Sequence, residues 1–141
     1  MATLTLGALA GCASIQPQAR THAYRVTNAD PAVTGDAIDV MVKVFPPALT
    51  PLSVAPADGD AFGQSLLAGL RERGYAVAER RGSGRNAVVA GAAFHYRLAP
   101  IVDSGMYELV LTVGDARLSR LYIFDTTQSR LTPGGEWSRK E

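Results

Sequence analysis

The sequence predicts an α+β fold, a largely antiparallel four- or five-stranded sheet with helices packed on one face. Three observations carry this. Residues 107–113 alternate Tyr107, Leu109, Leu111 and Val113 against Glu108, Val110 and Thr112, and run into a Gly114-Asp115 turn. Residues 92–98 alternate in the same way. Between residues 59 and 73 the apolar positions Phe62, Leu66, Leu67 and Leu70 recur instead at helical spacing. Strands that follow one another by tight turns pair antiparallel, and helices then cover one face.

In chain order, residues 34–45 (TGDAIDVMVKVF) come first. Thr34 or Asp36 could cap a short helix with Ala37, Met41, Val44 and Phe45 on one stripe, whereas Val40 and Val42 also allow a strand. Pro46-Pro47 ends either. Leu52-Ser53-Val54, between Pro51 and Pro56, is a short strand. The helix over 59–73 takes Asp58 as its N-cap and Gly74 as its C′ residue. Gly63 and Gly69 lower its propensity and point to close packing on a sheet, while Arg71, Glu72 and Arg73 face water. Residues 75–79 (YAVAE) form a strand, and Arg80 to Arg85 (RRGSGR) a solvated basic loop that lacks the lysine-serine ending of a phosphate cradle.

In the next strand Ala92, Phe94, Tyr96 and Leu98 share one face and Ala93, His95 and Arg97 the other; residues 100–105 form a loop. A two-residue Gly114-Asp115 turn sets Val113 opposite Ala116, Leu111 opposite Leu118 and Tyr107 opposite Tyr122. That register also puts Arg120 opposite Leu109 on the mostly apolar face. Either that face is partly exposed there, or Arg120 snorkels at its edge, or a bulge in the second strand removes the conflict. On the opposite face Thr112, Arg117 and Ser119 are polar near the turn, and Leu121 and Ile123 are apolar farther along. With helices on one side only, this second face stays partly exposed and offers a docking surface. After Pro133-Gly134-Gly135 comes Trp137, which either folds back to plug the domain or anchors a partner together with Arg139 and Lys140.

Composition narrows the function. The chain has 141 residues, enough for one domain with a core, and its 47% hydrophobic and 19% charged residues read as globular protein. With 14 basic and 13 acidic side chains the net charge is +1, which gives no electrostatic footprint for DNA or RNA. Catalytic chemistry finds little to work with. The histidines are His22 and His95, without metal-ligand spacing. Asp58, Asp60, Asp103, Asp115 and Asp125 sit at expected caps and turns, and no nucleophile-elbow, zinc-protease or Walker pattern occurs. We expect no enzyme, no cofactor, no metal and no small-molecule substrate.

The start, MATLTLGALAGC, is an uncharged apolar stretch ending in Leu9-Ala10-Gly11-Cys12. This resembles the lipobox of bacterial lipoproteins, with cleavage before Cys12, although no basic residue precedes it. The resemblance implies a diacylglycerol on the Cys12 thiol, the one cysteine of the chain, and anchoring through its acyl chains. Ala13 in place of an aspartate implies the outer membrane, on its periplasmic face. The resulting division is a signal segment 1–11, a tether 12–33, a single α+β domain 34–130 and a C-terminal tail 131–141.

Further blocks extend the resemblance. They are Asp60-Ala61-Phe62-Gly63-Gln64-Ser65-Leu66, Gly74-Tyr75-Ala76-Val77, Leu111-Thr112-Val113-Gly114, Leu118-Ser119-Arg120-Leu121-Tyr122 and the terminal Trp137-Ser138-Arg139-Lys140-Glu141. Together with the lipobox they make the chain similar to the TrbH family of conjugal-transfer lipoproteins. The resemblance implies a structural or assembly component of a conjugative type IV secretion (mating-pair formation) apparatus. Its partners would be other envelope proteins of that apparatus and, through the lipid, the membrane, with no direct nucleic-acid contact. The alternative is a periplasmic accessory lipoprotein that contacts peptidoglycan or a cell-wall enzyme.

Overall fold

The computed structural model describes residues 30–80 and 91–141. The lipobox residues Leu9, Ala10, Gly11 and Cys12, most of the expected tether with His22, and residues 81–85 of the basic loop lie outside the described residues. Helix α1 spans Pro31–Val44 and helix α2 spans Ala61–Glu72, with a short 3-10 turn at Pro47–Leu49. The strands are β1 (Leu52–Val54), β2 (Val77–Glu79), β3 (Ala92–Ile101), β4 (Met106–Val113), β5 (Ala116–Asp125), β6 (Arg130–Pro133) and β7 (Ser138–Lys140). They form one sheet in the order β2-β1-β3-β4-β5-β6, with β7 also pairing with β5.

The fold class is α+β, but the sheet is larger and more mixed than the sequence suggests: seven strands rather than four or five, with β1 parallel to both β2 and β3. The parallel pair β1–β2 follows from what joins them. A helix, not a hairpin, lies between them, and a helical crossover returns the chain in the same direction. Parallel strands are normally covered on both faces, and all three residues of β1 are buried. From β3 onward the strands are antiparallel.

The segment expected as a tail supplies β6 and β7. Its Leu131 is almost fully buried, because β5 runs ten residues and leaves an edge that the returning chain fills. At the other end α1 begins at Pro31, inside the stretch expected as tether, and settles residues 34–44 as helix. Its cap is neither Thr34 nor Asp36 but Asp30, whose Oδ1 accepts from the Ala32 N–H at 2.9 Å, with Pro31 placed where a missing N–H costs nothing. The other oxygen of Asp30 accepts from the Leu131 N–H at 2.9 Å, so one buried carboxylate caps α1 and ties it to β6.

α2 is capped by Asp60 rather than Asp58, its Oδ1 accepting from the Gly63 N–H at 3.0 Å. Gly59, with φ 74°, stands in the left-handed region and cannot belong to the helix, which pushes the cap downstream. The other end matches expectation. Gly74 N–H bonds Arg71 O and Tyr75 N–H bonds Leu70 O, the paired bonds of a Schellman motif. Of the helical glycines, Gly63 packs closely on the sheet as expected, whereas Gly69 packs on α1 instead. A Cβ on Gly63 would collide with the Tyr96 hydroxyl of β3, and one on Gly69 with the Cδ1 of Ile38 in α1.

The β4–β5 register is the one the turn predicts, with Leu111 opposite Leu118, Leu109 opposite Arg120 and Tyr107 opposite Tyr122. Gly114 takes φ 58° while Asp115 does not go positive, as a two-residue turn with glycine first demands. Strand β3 runs farther than expected, through Pro100 to Ile101. β1 pairs only with Ala92 and Ala93, so the outer edge of β3 beyond them has no ladder for the proline to break.

Leu52, Phe94, Leu111, Leu118, Tyr122 and Leu131 of the sheet meet Met41 of α1 and Phe62, Leu66 and Leu70 of α2 in one core. Phe62 and Phe94 flank the Tyr96 ring with centroids 6.0 Å away in each case.

Two expectations follow. Asp30→Ala leaves two N–H groups without their acceptor, and should lower unfolding free energy in urea by about 2–4 kcal/mol, with Asp30→Asn losing less. Gly63→Ala should destabilise by about 1–3 kcal/mol, because the Tyr96 hydroxyl and the Asp60 cap must both shift. Gly69→Ala meets only the mobile end of Ile38 and gains helix propensity, so its midpoint should move much less.

Candidate functional site

A polar cluster interrupts the core where α1 crosses the C-terminal edge of the sheet. The strands β6 and β7 both pair with β5, but the register changes between them: four residues, 134–137, stand opposite two, Arg120 and Leu121. This is a bulge with two extra residues, and its first N–H, on Gly134, bonds Leu121 O at 2.8 Å. The slack lets the chain turn inward, so that Trp137 lies against α1 and β5.

Arg120 holds this bend. Its Nε donates to Gly135 O at 2.7 Å and its Nη1 reaches both carboxylate oxygens of Asp36 at 2.7 and 2.9 Å. The guanidinium lies 5.9 Å from the centroid of the Trp137 ring. Asp36 also accepts from the Tyr122 hydroxyl and, at 3.4 Å, from the indole Nε1 of Trp137. The side chains of Arg120 and Asp36 are only 16% and 24% exposed, so the pair is shielded enough to matter. Burial first, and then the hydrogen bond and charge of Asp36, push the Tyr122 hydroxyl far above the usual tyrosine range, so it remains a donor. The conflict posed by Arg120 on an apolar face is thus resolved by an acid from α1 and by a bulge, which lies in β6–β7 rather than in β5.

Beside the cluster lies a groove of about 400 Å³ between α1 and β7. Val40, Val44 and Leu118 make its floor; Asp39, Lys43, Glu136 and Arg139 make a rim of both signs, and Trp137 closes one end. Arg139 lies 5.8 Å from the Phe45 ring centroid and pairs with Glu141. The groove suits an apolar side chain flanked by polar backbone.

Of the residues singled out in the sequence, Trp137 and Arg139 therefore meet in this groove, whereas Lys140 points to the opposite, open face of the sheet and is exposed. His95 is exposed on β3, next to a hollow of about 230 Å³ at the strand edge that Asp60 also lines. Among the described residues no group of three or more His, Cys, Asp or Glu is placed to hold a metal ion. Nor is any helix among them long and apolar enough to cross a membrane. Sequence reasoning assigned Asp36 to a cap and missed its role; the available signal was the misplaced cation at Arg120, which demanded a buried acid.

A second tyrosine fastens the far end of α1. Tyr75 donates to Phe45 O at 2.5 Å, and burial pushes its hydroxyl up to about 12. A raised tyrosine pKa stabilises the fold fully below the unfolded value of about 10, and that stability is lost as pH climbs toward about 12. In the wild type, urea stability should therefore fall between pH 10 and 12, with the buried hydroxyls of Tyr96 and Tyr122 adding to the fall, and Tyr75→Phe should make the slope shallower. Trp137 is the sole tryptophan, so its emission reports the groove directly. Arg120→Ala should shift that emission to longer wavelength and cost about 2–4 kcal/mol, with far-UV circular dichroism retained. Asp36→Asn combined with Arg120→Met should cost less than the sum of the two single changes, since neither then leaves a charge stranded.

A search of curated proteins finds no match, and neither does a search of solved structures. Residues 14–141 match the family model described as conjugal transfer protein TrbH, a span that takes in both α-helices and all seven strands of the described residues and the Asp36–Arg120–Trp137 cluster, and the chain belongs to the TrbH family.

Proposed function

We propose that the chain is a non-catalytic, lipid-anchored structural or assembly component of a conjugative type IV secretion apparatus. The observation that carries this is the family match over residues 14–141, since the TrbH family is a conjugal transfer family. In this reading the chain is cleaved before Cys12, acylated on its thiol and held on the periplasmic face of the outer membrane. The domain then presents the groove at Trp137 and Arg139 to another envelope protein of the apparatus, while Lys140 of the same strand faces the open side of the sheet. A groove with an apolar floor, a mixed-charge rim and an aromatic end wall suits a protein segment better than a small polar substrate.

The first test is intact mass and membrane fractionation of the protein made from its own gene. The expected mature species begins at an acylated Cys12 and sediments with the outer membrane, and Cys12→Ser abolishes both. An unmodified wild-type protein in the cytosol would overturn the envelope assignment. The role of the C-terminal segment calls for point changes rather than truncation, because deleting residues 131–141 removes β6 and β7. Trp137→Ala with Arg139→Glu should lower conjugation frequency by about tenfold or more while the fold survives; unchanged transfer would sink the groove as the docking site.

A further inference from the structure

The face of the sheet turned away from the helices is divided into two chemically distinct halves. Register places His95, Thr112, Arg117 and Lys140 in one row across β3, β4, β5 and β7. The next row is Arg97, Val110, Ser119 and Ser138, in which the two serine hydroxyls bond each other at 2.9 Å. One acid, Glu108, serves two arginines, Arg97 at 3.1 Å and Arg117 at 3.6 Å. Arg97, Arg117 and Lys140 against Glu108 leave this half with a net positive charge. The Arg97 side chain is still 62% exposed.

The far half is apolar. Ile101, Met106 and Ile123 form a row across β3, β4 and β5, and Leu121 adjoins them. Ile123 is 49% exposed and Leu121 39%, a concentration of large apolar surface open to water.

We infer that this face is a docking surface for one amphipathic helix of a partner protein, about four turns long, with apolar side chains at one end and carboxylates at the other. Three features select that occupant. The apolar half is one row deep with a single neighbour, too narrow for a second sheet, whose packing needs an apolar inner face throughout. A second copy of this chain would either set two cationic halves against each other or lay each across the other's apolar half. A membrane surface is disfavoured because Asp103 stands at the β3–β4 turn beside the exposed Val102, where an inserting tip would have to be apolar. The dimension follows from the strand. Arg117 and Ile123 are six residues apart along β5, about 20 Å at strand rise, which is the length of about 13 helical residues. The inference is independent of the lipid anchor and of the groove at Trp137, which lies on the other face.

The test places a photo-crosslinking amino acid singly at Ile123, at Arg117 and, as a control, at the exposed Leu49, in the full chain within cells that carry the complete transfer system. Adducts from 123 and 117 should map to one helical segment of one protein, on apolar residues and on Asp or Glu respectively, about 13 residues apart; Leu49 should give none. Arg97→Gln with Arg117→Gln should cut the Ile123 adduct by about tenfold, with thermal unfolding verifying the fold. Adducts on lipid, on a second copy, on other segments of this chain or scattered over many proteins would overturn the inference, as would no adduct from a folded protein. A single acidic-apolar helix belonging to a protein outside the transfer system would uphold the surface and contradict the proposed role in transfer.

Discussion

Arg120 is the constraint around which the C-terminal half is arranged. A cation on the inner face of a central strand must find an acid or forfeit the core around it. The acid is Asp36 of α1, and the Nε–H of the guanidinium takes the carbonyl of Gly135. One side chain thus fixes where α1 crosses the sheet and where the final segment bends, and Trp137 packs into the corner that this leaves. Tyr122 completes the acid's coordination, which explains a buried hydroxyl two residues along the same strand and on the same face.

Asp30 does for the start of α1 what Arg120 does for its middle. Its two oxygens serve a helix terminus and a strand that are 101 residues apart in the chain. Together these polar ties bind the first and last described segments, so β6 and β7 are part of the fold and not an appendage. The outer edge that they create carries Pro133, a bulge and Lys140, each of which discourages edge-to-edge pairing with another chain.

The two faces of the sheet have separate uses. The inner one is consumed by the helices. The outer one remains available because only two helices exist among the described residues, and both are on the inner side. The described residues carry a shaped groove and an exposed, zoned face, and the chain belongs to a conjugal transfer family.

Sequence alone determined whatever depends on neighbours in the chain. The alternation of 107–113 and the Gly114-Asp115 turn set the β4–β5 register, because a two-residue loop leaves no freedom once one face is apolar. The stripe of Phe62, Leu66 and Leu70 and the Gly74 stop determined α2, and the polar-to-apolar change on the open face was legible from Arg117 to Ile123. The tertiary structure decided what depends on distant partners. Whether residues 34–44 are helix or strand turned on burial of Val33, Ala37 and Met41 against the sheet. The cap passed to Asp30 because Leu131, far along the chain, shares its carboxylate. Strands β6 and β7 arose because β5 is long enough to need them, although their own sequences carry little pattern. The parallel set β2-β1-β3 was hidden because pairing direction belongs to the connection and not to the strand.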